Sequence, residues 1–306
     1  MRKLIIFLVG AAVVAVGAVA TLVILYRSAT TTGSGQGRPV KIVIEQGSSG
    51  VRIVALLERK KVVGSALAFR VFLELKGTGG ELRAGEYTFR EDMPYDAVLA
   101  ALRKGPPVKF SKLVIPEGLT VEQTAERVGA QTHITREEFL AAATPATARP
   151  SVLPPGIETL EGFLYPKTYR VLERAGAEDV VRQLVDQFEK EAFPSPLELA
   201  ANFDLTEYQI LVIASLIEEE AKADEERAKI SSVIHNRLRR GMKLEIDATV
   251  QYAVKKYGQP LTVSDLQVDS PYNTRKFPGL PPTPISSPGI ESVAAAVEPA
   301  GSDALY

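Results

Sequence analysis

Hydrophobic and polar positions follow two different periods in the region after residue 40. The stretch VKIVIEQG, which begins at Val40, alternates β-branched and polar residues and predicts a strand. Helical spacing follows at Val51–Arg59 and Ser65–Lys76, AGEYTF predicts a second strand, and Pro94 opens a further helix. The pattern therefore predicts a small α+β module over residues 40–106.

A second α+β region is predicted over residues 107–306, beginning with the strand VKFSKLVIPEG. Three helix starts in it carry a Ser/Thr-x-x-Glu/Gln capping box, in which the two side chains satisfy orphan amide donors reciprocally. The pairs are Thr120 with Gln123, Thr135 with Glu138, and Thr206 with Gln209. Between them, the proline-rich and then aromatic stretch 144–169 predicts a packed surface loop.

The helix that contains ILVIASLIEEEA ends in three consecutive glutamates. At 100° per residue, its apolar positions form one core-facing stripe. Relative to Ile217, Glu220 lies about 60° to one side, Glu218 about 100° to the other, and Glu219 about 160° away. The stripe comprises Ile210, Ile213, Ala214, Ile217 and Ala221. Glu220 is therefore the carboxylate predicted nearest to the core.

Partial burial would make Glu220 a candidate acid, because loss of water disfavours the charged carboxylate and raises its pKa. A protonated, oriented carboxyl group is what departure of a sugar leaving group requires. The alternative is a solvated helix end whose glutamates form ion pairs with nearby lysines and arginines. Glu218 and Glu219 fit that alternative.

The first residues carry the longest apolar run of the chain. Leu4–Tyr26 contains no charge and would span about 34 Å as a helix, enough to cross a bilayer. A cleaved signal peptide is the alternative, but its apolar core would be shorter. Arg2 and Lys3 would keep the N-terminus in the cytoplasm. Residues 1–39 are predicted to form a transmembrane anchor and a polar, flexible linker.

The amino-acid composition limits the kinds of catalytic and metal site that the chain can form. The chain has no cysteine and only two histidines, which excludes disulfides and cysteine-bound metals and disfavours a histidine-rich metal site. Lys and Arg number 36 against 37 Asp and Glu, so no positive field would gather nucleic acid. We expect no metal and no cofactor, with catalysis resting on carboxylates, hydroxyls, amides or lysines.

The stretch IASLIEEEAK…ERAKISSVIHNRLRRGMKLEIDATVQYAV closely resembles the catalytic core of the endolytic murein transglycosylases, the MltG/YceG-like family. The family pattern runs A-S-I-I-E-x-E and then V-x-N-R-L-x-x-G-M-x-L-x-x-D-x-T-V-x-Y. Further blocks in family order are IPEG, LEGFLYPKTY, SPYNT, GLPPTPISSPG and AAAVEPA. The chain departs from the pattern at Lys167, Arg275 and Thr283. The family normally continues past Tyr306, so the C-terminal part of the catalytic domain is expected to be missing.

The resemblance implies a LysM-like module at 40–106 and a catalytic domain at 107–306. It also implies that the chain crosses the bacterial cytoplasmic membrane once, with the catalytic domain on the extracytoplasmic side. It implies lytic cleavage within nascent peptidoglycan strands to give 1,6-anhydro ends, with peptidoglycan polymerases as partners. The family's catalytic glutamate falls on Glu220, and Glu218 would support it or face substrate. The same blocks imply a set of substrate-binding residues, each of which could instead serve as a cap or turn residue. They are Asn236, Asp247, Thr249, Tyr252, Tyr272 and Asn273.

Two other functions remain open at this stage. Glu220 and Asp247 together would suit a two-carboxylate peptidoglycan hydrolase, which needs a second carboxylate to activate water or attack the sugar. A non-enzymatic envelope protein that binds glycan through the 40–106 module is the other alternative.

Overall fold

The computed structural model describes residues 33–77, 82–192 and 197–306. The chain divides into two compact units, residues 1–108 and 109–306, and both combine helices with a two-stranded sheet, so the predicted mixed α+β class is confirmed. No helix within the described residues has the length and hydropathy needed to cross a bilayer. The predicted anchor, Leu4–Tyr26, lies outside the described residues.

The first unit is built on two antiparallel strands, β1 (Pro39–Ile44) and β2 (Gly85–Arg90), with Ile42 opposite Tyr87. Ile42 and Ile44 are buried while Lys41 and Val43 face solvent, as the alternating pattern predicts. The helices α1 (Gly50–Arg59) and α2 (Ala66–Leu75) lie between the strands in sequence, and α3 (Tyr95–Lys104) follows them.

Serine caps and an aromatic cluster fix these helices. The Ser49 and Ser65 side chains accept from the amides of Arg52 and Ala68, which satisfies one orphan donor at the start of α1 and of α2. Tyr95 meets Phe69 edge-on at 5.0 Å between ring centroids, and its hydroxyl donates to the Ser65 carbonyl.

The second unit opens with β3 (Phe110–Val114), which pairs antiparallel with β4 (Thr168–Leu172), placing Leu113 opposite Tyr169. Its helices are α4 (Val121–Gln131), α5 (Arg136–Ala142), α6 (Ala177–Ala192), α7 (Glu207–Glu220), α8 (Arg227–Arg239), α9 (Asp247–Val254) and α10 (Ile290–Val297). Short 3₁₀ turns occupy Leu197–Phe203, Asp224–Glu226 and Asp265–Gln267. All three predicted capping boxes are present, at the starts of α4, α5 and α7.

The proline-rich and aromatic stretch 144–169 is packed, as predicted, but its aromatic part belongs to the core and its last two residues begin β4. Leu160, Phe163 and Leu164 are fully buried. Phe163 contacts Phe188 of α6 edge-on, at 5.0 Å between centroids. This segment therefore contributes to the core that surrounds α7.

Helix α7 is the central helix of the unit, and the prediction of a single buried stripe is wrong. Leu211, Val212 and Leu216 lie off the predicted stripe, yet each is at most 1% exposed, like the stripe residues that belong to α7. The helix also ends at Glu220, with Ala221 already extended. Because α7 is buried on every face, the position of a glutamate around the helix axis does not decide its burial. The surroundings of the last turn decide it.

Candidate active site

The last turn of α7 directs its three carboxylates into three different environments. Glu218 is half-buried. Glu219 and Glu220 are exposed as whole residues, although each lines a depression in the surface. Each side chain contacts a different part of the unit. The three positions are therefore chemically distinct, although they are consecutive in the chain.

Glu218 serves the start of α10. Its Oε2 accepts from the Gly289 amide at 3.1 Å and from the Ser292 hydroxyl at 2.7 Å. The Ser292 hydroxyl oxygen in turn accepts from Arg227 Nε at 3.0 Å. A carboxylate at a helix N-terminus satisfies orphan amides and complements the helix dipole. These contacts tie Glu218 to the N-terminus of α10.

Glu219 lines a cavity of about 190 Å³ that we call the Glu219 cavity. Gly118, with φ of +74°, allows its close approach, since a Cβ at that position would lie 3.2 Å from Glu219 Oε1. Burial raises the pKa of Glu219 to about 7, and the charges of Glu218 and Glu220 add to this against the opposing effect of Ser286. The other lining residues are Thr120, Gln123, Ala248, Gln251, Tyr252, Tyr257, Gly258 and Ile285.

Glu220 lines a separate and larger depression of about 790 Å³ that we call the Glu220 groove. Burial raises the pKa of Glu220, and the negative charge of Asp247 raises it further, while Lys222 and Arg275 lower it. The groove is lined by residues 220–246 of α7, α8 and the segment before α9, and by residues 300–306. Partial burial and the charge of Asp247 therefore both favour the protonated form of Glu220.

Asp247 is the first residue of α9 and forms an ion pair with Arg275, 2.5 Å between Oδ1 and Nε. Its side chain is 54% exposed. Of the substrate-binding residues predicted from the family blocks, Asp247 is the one whose charge raises the pKa of Glu220.

Three of the other predicted residues are engaged within the protein. Asn236 is buried, and its amide nitrogen donates to the carbonyls of Ser302 and Ala304 at 2.7 and 2.9 Å. The Thr249 hydroxyl donates to the Ile246 carbonyl and contacts the Thr274 hydroxyl at 2.9 Å. Asn273, fully buried, donates to the carbonyls of Leu266 and Val268. These bonds give the three side chains roles as loop and turn supports.

The two predicted tyrosines form a pair, 4.9 Å between ring centroids. Tyr252 lines the Glu219 cavity, and Tyr272 contacts the Thr283 hydroxyl through its own hydroxyl at 2.8 Å. Tyr252 and Glu219 therefore line the same cavity, and neither of them lines the Glu220 groove.

The sequence reasoning missed Glu161, which lies behind Tyr252. Glu161 is 4% exposed and accepts from the Val121 amide at 3.0 Å and from the Tyr252 hydroxyl at 3.1 Å. Burial raises its pKa to about 8. The available signal was the lone glutamate in the apolar run LEGFL. A charged residue that such a run buries usually has hydrogen-bond or ionic partners, so this glutamate could have been marked as a residue to examine.

Comparison with known proteins agrees with the resemblance seen in the sequence. The protein named endolytic murein transglycosylase of Bacillus subtilis (strain 168) is 33% identical over 281 residues, covering 87% of this chain and 78% of that protein. The protein of the same name from Streptococcus pneumoniae (strain D39) is 31% identical over 297 residues. This chain spans about half of the pneumococcal protein, 53% of its length.

A solved structure and a family model extend the agreement. The crystal structure of a YceG-like protein from Listeria monocytogenes superposes with a TM-score of 0.60 at 34% identity, covering 88% of this chain and 92% of that one. The model of the YceG-like family matches residues 42–306. The chain belongs to the YceG-like family.

Proposed function

We propose that this protein is an endolytic peptidoglycan lytic transglycosylase in which Glu220 is the catalytic acid and base. The observation that carries the proposal is the position of Glu220, which follows the buried residues 210–217 of α7, lines a groove, and has a pKa raised by burial and by Asp247. The names of the Bacillus and pneumococcal relatives support the substrate class.

In the proposed reaction, protonated Glu220 donates its proton to the glycosidic oxygen between N-acetylmuramic acid and N-acetylglucosamine as the bond from that oxygen to C1 breaks. The resulting carboxylate accepts the proton of the muramic acid C6 hydroxyl as O6 bonds to C1. The products are a 1,6-anhydro end and a free 4-hydroxyl group, and no water is consumed. Glu220 regains its proton, which closes the cycle.

One carboxylate is sufficient for this chemistry because the attacking hydroxyl belongs to the substrate and is already tethered to the reacting carbon. Asp247 assists through its charge. It raises the pKa of Glu220 and favours the positive charge that develops on the sugar ring in the transition state. Arg275 holds the Asp247 side chain in place through their ion pair.

The effect of the Asp247 charge on Glu220 also supports the second candidate, a two-carboxylate hydrolase, in which Asp247 would activate water. The two mechanisms differ in their products. A hydrolase releases reducing N-acetylmuramic acid ends, whereas a lytic transglycosylase releases 1,6-anhydro ends.

The test is mass spectrometry of murein digested by the purified full chain. We expect anhydro ends from the parent, a loss of at least 100-fold for Glu220→Gln, and parental activity for Glu225→Gln, a matched change at an exposed glutamate nearby. Reducing ends in place of anhydro ends would establish the hydrolase instead. Equal rates for Glu220→Gln and the parent would exclude Glu220 as the catalyst.

The wider cellular role forms part of the same proposal. Leu4–Tyr26 would anchor the chain in the bacterial cytoplasmic membrane, and the 40–106 module would act as a LysM-like glycan-binding domain on the extracytoplasmic side. Cleavage within nascent strands would then end their elongation beside the peptidoglycan polymerases. Co-sedimentation of the full chain with membranes, compared with a chain that lacks residues 1–32, tests the anchor.

A further inference from the structure

The outward face of α2 carries a row of large apolar side chains that we call the α2 stripe. Its members are Leu67, Val71 and Leu75, whose exposed fractions are 74%, 41% and 69%. Residues spaced four apart lie on one face of a helix, so the stripe is about 12 Å long. Scattered exposed apolar residues are normal, but a continuous row on one helix indicates a surface that contacts something other than water.

The core of the first unit does not need this stripe. Phe69, Phe72 and Leu73 are at most 4% exposed and form the buried face of α2. Glu74 lies at the border of the stripe, where it forms an ion pair with Arg70 at 3.1 Å. The stripe is therefore an additional apolar surface, and the charge at its border is paired.

The segment that leads into the first unit is fastened to that unit. The Gly35 amide donates to the Asp92 carbonyl at 2.8 Å. A Cβ at Gly33 would lie 2.5 Å from the carbonyl carbon of Met93, so this close approach requires glycine. This part of the predicted linker is therefore docked on the first unit.

Docking of this segment shortens the connection to the proposed anchor. Leu4–Tyr26 is the proposed membrane span, and only residues 27–32 separate it from Gly33. A fully extended chain of this length reaches at most about 25 Å. Gly33 would therefore lie within about 25 Å of the membrane surface.

The α2 stripe begins close to Gly33. A Cβ at Gly33 would lie 2.6 Å from the Pro94 nitrogen. The next residue, Tyr95, donates its hydroxyl to the Ser65 carbonyl at 3.2 Å, and Ser65 caps α2. Leu67 lies in the first turn of that helix. The short connection therefore allows the stripe to reach the membrane surface.

The charge of the first unit favours the same partner. Residues 33–108 carry 12 lysines and arginines against 8 aspartates and glutamates, whereas residues 109–306 carry 21 against 29. Lys60 and Lys61 are exposed shortly before α2, and the Lys61 carbonyl accepts from the Asp92 amide, beside the docked segment. Basic residues near an anionic bilayer are attracted to its headgroups.

We infer that the α2 stripe rests on the outer surface of the membrane that carries the proposed anchor, with α2 parallel to the bilayer and its apolar side chains at the level of the lipid headgroups. The inference rests on the anchor in the proposed function and adds a second contact to it. The tether keeps the stripe at a high effective concentration near the bilayer, so a small apolar surface is sufficient for binding.

The test uses the full chain in lipid nanodiscs of phosphatidylglycerol and phosphatidylcholine in equal amounts. The chain has no cysteine, so one introduced cysteine gives a unique site for a nitroxide label. Val71→Cys labels the α2 stripe. Val43→Cys is the matched control, because Val43 is 58% exposed on the face of β1 opposite to Ile42 and Ile44, which share a core with α2.

Power saturation of the electron paramagnetic resonance signal measures collisions of the label with oxygen, which concentrates in lipid, and with a water-soluble nickel chelate. We expect the label at Val71 to collide with oxygen about twofold more often than the label at Val43, and with the chelate about twofold less often. Adding Leu67→Gln and Leu75→Gln to the Val71→Cys chain should make both rates equal to those at Val43.

Two results would overturn the inference. Collision rates at Val71 equal to those at Val43 in the otherwise unchanged chain would show that the stripe faces water. Protection of the Val71 label from both reagents would show that protein covers the stripe, as in contact with a second copy of the chain.

The same preparation separates this inference from the proposed function. A chain that does not insert into the nanodiscs refutes the anchor and the docking together, whereas an inserted chain whose Val71 label faces water refutes the docking alone. The products released from murein test the lytic mechanism independently, because Val43 and Val71 line neither the Glu219 cavity nor the Glu220 groove.

Discussion

The Tyr252 hydroxyl donates a hydrogen bond to the Oε2 of Glu161, a glutamate that is 4% exposed and belongs to a distant part of the sequence. This bond, together with the Val121 amide, satisfies Glu161 inside the core and holds Tyr252 against the Glu219 cavity. A buried carboxyl group therefore positions one wall of the candidate substrate site.

Glu161 should make the stability of the second unit depend on pH. Its pKa in the folded protein is about 8, above the value of 4.5 expected on unfolding. Unfolding therefore releases a proton between these two values, so stability falls as pH rises from about 4.5 to 8, by up to about 1.4 kcal/mol per pH unit. Urea unfolding at pH 5, 6, 7 and 8 measures this slope.

Glu161→Gln should flatten that slope, because the amide of glutamine does not titrate. The matched control is Glu158→Gln, at an exposed glutamate three residues earlier, which should keep the parental slope. A parental slope in Glu161→Gln would show that Glu161 is already ionised in the folded protein.

Asp247 and Arg275 should move the pH profile of the reaction in opposite directions. Activity that needs protonated Glu220 falls as pH rises through its pKa. Asp247→Asn removes a charge that raises this pKa, so the alkaline limb of kcat/KM against pH should shift to lower pH. Arg275→Gln removes a charge that lowers it, so the limb should shift to higher pH.

Lys276→Gln is the control for both changes, since Lys276 forms an ion pair with Asp269 and should leave the profile in place. Shifts of Asp247→Asn and Arg275→Gln in the same direction would contradict the proposed electrostatic effect on Glu220.

Glu218→Ala should destabilise the protein. The change leaves the Gly289 amide and the Ser292 hydroxyl without the carboxylate that they contact, at a cost of about 1–3 kcal/mol. Thermal unfolding would show a lowered Tm, while Glu225→Ala, an exposed position in the 3₁₀ turn before α8, should keep the parental Tm. If Glu218→Ala is as stable as the parent yet inactive, Glu218 contacts substrate instead.

Asn236→Ala should weaken attachment of residues 302–304 more than it weakens catalysis. The side-chain amide donates to two carbonyls of this segment, and its oxygen accepts from Arg239. Faster hydrogen exchange at the amides of residues 302–305, with kcat within about threefold of the parent, is the expected result. A large loss of kcat with unchanged exchange would favour the substrate-binding role for Asn236 that the family resemblance implies.

Local features of the fold were predictable from the sequence. The three capping boxes, the two strands of the first unit and its helices all depend on residues within a few positions of each other, and the structure contains them. The burial of α7 on all faces could also have been predicted, because ILVIASLI is apolar around the whole helix and not along one stripe only.

The arrangement of the site was not predictable in the same way. The different environments of Glu219 and Glu220 arise from Gly118, from residues 248–258 and from residues 300–306, which tertiary packing brings to one helix end. The family pattern selected Glu220. Sequence periodicity selected the same residue on the assumption of a single stripe, which the structure contradicts.

The enclosure of residues 210–217 of α7 constrains how the protein can evolve. A helix with no free face cannot rotate or slide to accommodate a smaller side chain, so a lost methylene in Leu211 or Leu216 either leaves a void or displaces the last turn. Substitutions at such interior positions would then alter the position of Glu220 as well as the stability of the protein. Selection for activity would therefore also act on hydrophobic residues that line neither the Glu219 cavity nor the Glu220 groove.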